Sequence, residues 1–158
     1  MTTACTLDGV ASATAQSTLR TGAVFSTAQS ASQSFLRFFN AGTTAGTVKV
    51  TLNDQTSGAA LGEWTSPSIP LASEQQFPIG TIEAGTGQTF TKPNYYGVRV
   101  QPGIAGYFQH VLWRATDGTL TNLSTCAADE TLTIEPVPGV EDPAAFTGFS
   151  AARRTYRR

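Results

Sequence analysis

The sequence predicts an all-β protein, an antiparallel β-sandwich of immunoglobulin-like or jelly-roll type. Short runs in which apolar residues alternate with others recur along residues 17–135, and turn residues separate them roughly every 8 to 12 positions. Glycine and proline, 15 and 8 residues respectively, interrupt the whole chain. Charged residues make up only 13% of it, where about 25% is usual.

The alternating runs give the expected strands. The run at 34–40 is apolar on both sides except for Arg37, so we expect it to be central in a sheet or covered by a partner. Gly97 interrupts another run, which indicates a bulge or a close contact. The expected strands lie at residues 19–25, 34–40, 47–52, 61–65, 76–82, 95–101, 107–114, 119–124 and 131–134.

Turn residues predict two hairpins. Asp117 and Gly118 lie between the runs at 107–114 and 119–124, and Asp-Gly between alternating runs is among the strongest hairpin signals. The stretch NAGTTAG at 40–46 lies between the runs at 34–40 and 47–52, and it predicts a hairpin of these two strands.

Composition divides the chain into three parts: an N-terminal arm at 1–16, the β-sandwich domain at 17–135, and an extended, Pro-rich then Arg-rich tail at 136–158. Residues 1–142 carry six Lys or Arg and eleven Asp or Glu, a net charge of −5. Residues 143–158 carry four Arg and no acid, a net charge of +4. The tail is therefore expected to be attracted to the body or to an acidic neighbour.

The two cysteines, Cys5 and Cys126, lie near opposite ends of the chain. Two free thiols are one interpretation of these cysteines. A disulfide is the other, either between these two residues or to another chain, and it requires an oxidising location. Closing a loop of this length contributes on the order of 4 to 5 kcal/mol to stability in the chain-entropy model.

Residues for catalysis are scarce. His110 is the single histidine, and it alternates with apolar neighbours in a predicted strand. A triad with Ser34, Ser124 or Cys126 and with Asp117 can be imagined, but no nucleophile motif surrounds any of them. We expect His110 to bond a backbone group or to face solvent, and we predict no catalytic residues.

Acidic residues do not predict a site either. Glu63, Glu74 and Glu83 lie on different segments, and although folding can bring distant carboxylates together, the sequence gives no support for a glycosidase pair. The acidic stretch at 129–142 lacks the alternating order of a calcium loop. The glycine-containing turns at 42–46 and 85–87 lack the Lys-Ser/Thr end of a phosphate loop. We therefore predict no metal and no cofactor.

The first 16 residues have no basic segment followed by an apolar run, so we expect no secretory signal, and we expect no membrane span because no apolar run is long enough. Synthesis in a host cytoplasm and a final location in a virion are expected, with a cell-surface or extracellular location as the alternative.

The tail combines aromatic residues with arginines, in FTGFSAARRTYRR. Aromatic anchors with Arg around them are typical of a docking peptide. Nucleic-acid binding is a rival interpretation, but four arginines are few for it and the body is acidic, so nucleic acid is not the expected partner. A third interpretation of the tail is an unstructured end that increases solubility. The predicted partner-docking residues are Phe146, Phe149, Arg153, Arg154, Tyr156, Arg157 and Arg158.

The segments at 34–70, 75–84 and 107–126, which together make up 67 of the 158 residues, resemble β-sandwich domains of bacterial surface and phage-associated proteins. This resemblance in strand and turn pattern implies a structural or adhesive role. We expect a non-enzymatic virion structural protein, such as a capsid decoration, neck or fibre-base component, that forms a homo-oligomer or joins other virion or surface proteins. The alternative is a cell-surface or carbohydrate-binding adhesion module, with Trp64, Tyr95, Tyr96 and Trp113 as sugar platforms.

Overall fold

The computed structural model describes residues 4–7, 18–124 and 127–129; at residue 18 and at 127–129 it describes the backbone only. Most of the predicted arm, the strand predicted at 131–134 and the whole tail lie outside these residues. Within them the chain forms β1 (Cys5–Leu7), β2 (Thr18–Phe25), β3 (Ser32–Asn40), β4 (Val48–Asp54), β5 (Ala60–Thr65), β6 (Ser73–Pro78), α1 (Ile79–Gly85), β7 (Tyr95–Pro102), β8 (Gly106–Arg114), β9 (Leu120–Asn122) and β10 (Ala127–Asp129).

Two antiparallel sheets pack face to face, which confirms the predicted sandwich. The first sheet has the order β1-β8-β3-β6, and β9 also pairs with β8. The second has the order β10-β2-β7-β4-β5. Without β9 and β10, each sheet keeps four strands, and the chain moves between the sheets in the order of a jelly roll. The strand order therefore decides between the two predicted sandwich types.

The core lies between the sheets because alternate residues of each strand point inward. In β3, Leu36 and Phe38 are fully buried, and Phe38 stacks on Phe108 of β8 with ring centroids 5.2 Å apart. The inward residues of the second sheet are mainly valines, which suit a pleated surface. They include Val24, Val48, Val50, Val98 and Val100, each at most 1% exposed.

Strand β3 is central in the first sheet. This was one of the two alternatives predicted for the run at 34–40. It pairs with β8 over residues 32–40 and with β6 over residues 35–40. Its outward residues Phe35, Arg37 and Phe39 are half-buried. Because neighbouring strands flank β3 on both sides, its outward side chains are partly covered by those of β6 and β8.

The hairpin predicted at Asp117 and Gly118 is confirmed. Strands β8 and β9 pair from Val111 with Asn122 to Trp113 with Leu120, and Gly118 has a positive φ of 67°. The positive φ explains why glycine follows aspartate in this turn.

Two strand predictions are wrong. The segments at 34–40 and 47–52 do not form a hairpin, because β3 belongs to the first sheet and β4 to the second, so the turn cluster carries the chain across the sandwich. The strand predicted at 76–82 ends at Pro78, and α1 begins at Ile79. In this helix Ile79 and Ile82, three positions apart, are both buried, which is a helical spacing rather than an alternating one.

Candidate functional site

His110 lies in the core rather than at a solvent face. Its side chain is fully buried, and its Nε2 is 2.9 Å from Ser34 Oγ. Ser34 Oγ also accepts a hydrogen bond from the backbone N–H of Phe25, so the pair links β8 and β3 to the end of β2. Burial lowers the pKa of His110 from 6.5 to about 4, and the imidazole is therefore neutral near pH 7.

The buried Ser34–His110 pair lacks the other parts of a triad among the described residues. His110 Nδ1 is buried and has no hydrogen-bond partner in the described part of the chain. Asp117 lies in the exposed β8–β9 turn, where its Oδ1 accepts from Thr119. Ser124 Oγ accepts from the backbone N–H of His110 rather than from its ring, and Cys126 lies outside the described residues. In this geometry the Ser34–His110 pair therefore connects strands inside the core.

The three glutamates singled out in the sequence lie apart. Glu63 forms an exposed ion pair with Lys49 of 3.1 Å, and Glu74 lies 3.4 Å from Arg37. Glu83 of α1 is buried, with 4% of its surface exposed. No two of them face each other across a shared cleft among the described residues, since they lie on β5, β6 and α1 and each pairs with its own cation or hydrogen-bond donors.

Glu83 instead joins α1 to two loops and to the second sheet. Its carboxylate accepts hydrogen bonds from Thr27 and from Tyr96 Oη, and it forms an ion pair of 2.7 Å with Lys92. Burial by itself raises the pKa of Glu83, but the hydrogen bonds from Lys92, Thr27 and Tyr96 outweigh it, so the pKa lies below its usual value. Burial and the neighbouring carboxylate raise the pKa of Tyr96. No sequence motif pointed to this cluster, because its members come from distant segments.

The outward face of the first sheet carries an aromatic strip, defined as Phe35, Phe39, Tyr107 and Trp113. Phe39 and Tyr107 are register partners in β3 and β8, with ring centroids 6.3 Å apart. Tyr107 is 49% and Trp113 37% exposed, and the two phenylalanines are half-buried. Leu120 of β9, 67% exposed, extends this surface beside Trp113. The strip resembles the aromatic-rich patches found in protein interfaces.

The aromatic residues considered as sugar platforms do not form one surface. Trp64 and Tyr96 are buried, at 7% and 0% exposure. Tyr95 and Trp113 are exposed, but they lie in β7 and β8, which belong to different sheets. A single sugar chain stacked on these rings is therefore not supported.

The predicted docking residues of the tail (Phe146, Phe149, Arg153, Arg154, Tyr156, Arg157 and Arg158) all lie outside the described residues. Of the predicted disulfide, Cys5 is described: it lies in β1, 5% exposed, opposite Phe108 of β8. Cys126 is not described, so the pairing stays a prediction.

In the described ranges, no helix is both long and apolar enough to cross a membrane. Residues 4–7, 18–124 and 127–129 also contain no cluster of three or more His, Cys, Asp or Glu side chains able to hold a metal ion. Comparison with known proteins finds no matching family model, no matching curated relative and no matching solved structure.

Proposed function

We propose that this chain is a non-enzymatic virion structural protein that assembles with neighbouring copies of itself and with other virion proteins. The observation that carries the proposal is the jelly-roll order of the two sheets, β1-β8-β3-β6 and β2-β7-β4-β5. Virus capsid proteins are among the main users of this fold, together with lectin and cupin domains. A fold alone does not assign a function, so the surface must supply the rest of the argument.

The aromatic strip supplies a surface suited to assembly. Tyr107 and Trp113 expose large rings on an otherwise regular sheet, and such rings bury much apolar area with few rotatable bonds. Arg37 lies between Phe35 and Phe39 along β3, and Arg is also enriched in interfaces. We propose a second copy of the chain as the partner of this strip.

The tail and the cysteines fit the same role. The aromatic and arginine residues at 146–158 would dock on an adjacent subunit, and a decoration, neck or fibre-base component is the expected position in the particle. A disulfide would suit a particle that is released from the cell. The adhesion module remains the alternative, but the exposed aromatic rings do not favour it.

Self-association of the purified full chain tests the proposal. Sedimentation velocity should show an oligomer for the native chain and a smaller species for the double variant Tyr107→Ser with Trp113→Ser. Tyr95→Ser is the matched control, because Tyr95 is similarly exposed, at 41%, on the other sheet. A chain ending at Asp142 should keep the folded body but lose incorporation into particles. A native chain that stays monomeric at all concentrations, or equal assembly of all variants, would contradict the proposal.

A further inference from the structure

The outward face of the second sheet contains a hollow of about 600 Å³. The hollow is lined by outward residues of three adjacent strands and of the turn after β4. They are Arg20 and Gly22 of β2, Gly97 and Arg99 of β7, Asn53 of β4, and Gln55 of the turn. The hollow is therefore on the opposite side of the molecule from the aromatic strip. Its volume is within the usual range for small-molecule sites.

Glycines create the hollow, and the chain's own packing does not require them there. A Cβ atom at Gly97 would come no closer than 4.0 Å to another atom, and one at Gly22 no closer than 3.6 Å. Gly103, by contrast, is required, because a Cβ there would lie 2.4 Å from Thr47 O. Neither Gly22 nor Gly97 has a positive φ. Glycine within a strand lowers stability, and it often marks a place where a ligand approaches the backbone.

One end of the hollow is basic. Arg20 and Arg99 are direct register partners in β2 and β7, and both are exposed. The side chain of Arg99 forms no hydrogen bond or ion pair with a described residue. Its guanidinium group is therefore available for a bidentate contact with a carboxylate.

The other end accepts hydrogen bonds. Asn53 is only 9% exposed, and its Oδ1 has no hydrogen-bond partner within the described part of the chain. Its Nδ2 donates to Gly58 O, which leaves Oδ1 as an unused acceptor on a residue that lines the hollow. Asp54 is beside it, and its Oδ1 accepts from the backbone of Thr56 and Ser57. A ligand at this end needs hydroxyl or N–H donors.

We propose that this hollow binds an acidic sugar, with the carboxylate on Arg99 and the ring hydroxyls on Asn53 and Asp54. A sugar acid combines an anion with several hydroxyl donors, and both ends of the hollow are then satisfied. A nucleic acid fits less well, because no lining residue is aromatic and bases therefore have no stacking partner. The inference goes beyond the assembly role and does not depend on it.

Titration of the ¹⁵N-labelled full chain tests this site. N-acetylneuraminic acid and D-galacturonic acid are the probes, and D-galactose is the neutral control. We expect saturable shifts of the Gly22 and Gly97 amide signals with an acidic sugar at millimolar concentration, and none with galactose. Arg99→Gln should weaken binding at least tenfold. Arg114→Gln is the matched control, an exposed arginine outside the hollow, and it should bind like the native chain.

Gly97→Val fills the hollow without removing a charge and should abolish the shift of the Gly22 amide signal, while the remaining spectrum shows that the sheet is intact. The proposal is overturned if neither acidic sugar gives a saturable shift up to about 20 mM. It is also overturned if Arg99→Gln and Arg114→Gln bind equally. Tighter binding of oligouridylate or of an Asp-Glu dipeptide at the same amides would assign the site to nucleic acid or to an acidic peptide instead.

Discussion

Tyr96 donates a hydrogen bond of 3.0 Å from its hydroxyl to Glu83 Oε1, so a buried residue of the second sheet holds the one helix of the described chain. Lys92 and Thr27 bind the same carboxylate from two loops. Because all three donors face one charge, the position of α1 depends on Glu83 remaining ionised.

Glu83→Gln should therefore lower the free energy of unfolding by about 2 to 4 kcal/mol, because Lys92 loses its counter-charge and an amide replaces a charged acceptor. Urea denaturation at pH 7 measures this. Glu63→Gln is the matched control: the Lys49–Glu63 pair is about half exposed on both sides and should contribute less than about 1 kcal/mol. Equal losses in the two variants would show that the Glu83 cluster has no special role.

His110 predicts a pH dependence of stability. The unfolded chain binds a proton on this residue below pH 6.5, whereas the folded chain does so only near pH 4. Between these values the unfolded state takes up more protons, so lowering the pH destabilises the fold, by about 2 kcal/mol from pH 7 to pH 5. The loss is complete once the pH is below about 4.

Urea midpoints at pH 7 and pH 5 check this prediction, with His110→Leu as the comparison. The variant should lose most of the difference between the two pH values. Glu83 does not confound the measurement at pH 5. Its pKa is lowered from 4.5, so its contribution is lost only as the pH falls through the lower folded value. An unchanged slope in His110→Leu would refute the assignment.

Ala23 has a φ of 55°, in the left-handed region, at the register shift of β2 against β7. Its backbone N–H donates to Gln55 Oε1, which helps to hold the bulge. Ala23→Gly removes the strain of the Cβ atom and should raise the free energy of unfolding by up to about 1 kcal/mol. Ala105→Gly, an exposed alanine without a positive φ, should instead lower it. A loss in both variants would contradict this interpretation.

The disulfide stays a prediction, and one feature of the described residues bears on it. Cys5 lies opposite Phe108 on one edge of β8, and on the same edge Leu123 N–H donates to His110 O. Cys126 follows only three positions later in the sequence. We expect no reactive thiol in the unfolded, unreduced chain and two after reduction, with a loss of stability on the order of 4 kcal/mol.

Single and double alanine variants distinguish the two kinds of pairing. If Cys5 and Cys126 pair with each other, the double variant should be about as stable as either single one. A covalent dimer on a non-reducing gel would show a bond to another chain instead.

The sequence predicts the strands better than their arrangement. Alternation in β3 and β4 correctly separates Leu36 and Val50, which face the core, from Arg37 and Lys49, which do not. Alternation cannot say to which sheet a strand belongs, so the predicted hairpin of β3 and β4 is wrong. The seven residues of α1 cover only about two turns, too few for a helical period to stand out.

The candidate surfaces are less predictable from the sequence than the strands. Phe35 and Phe39 indicated a covered face, but Tyr107 and Trp113 join them only through the pairing of β3 with β8. Gly97 indicated a bulge or a close contact, and the structure places it opposite Asn53 and beside the bulge of β2. Residues 22, 53 and 97 are far apart in sequence, and no local pattern brings them together.

The hollow is lined by residues that face away from the interior. Substitutions in the hollow are therefore separate from substitutions in the core. Substitutions at Gly22, Gln55 or Arg99 leave the valine layer beneath them in place. A lineage could therefore exchange one surface preference for another through a few outward positions, while the same scaffold continues to fold and to pack with its neighbours.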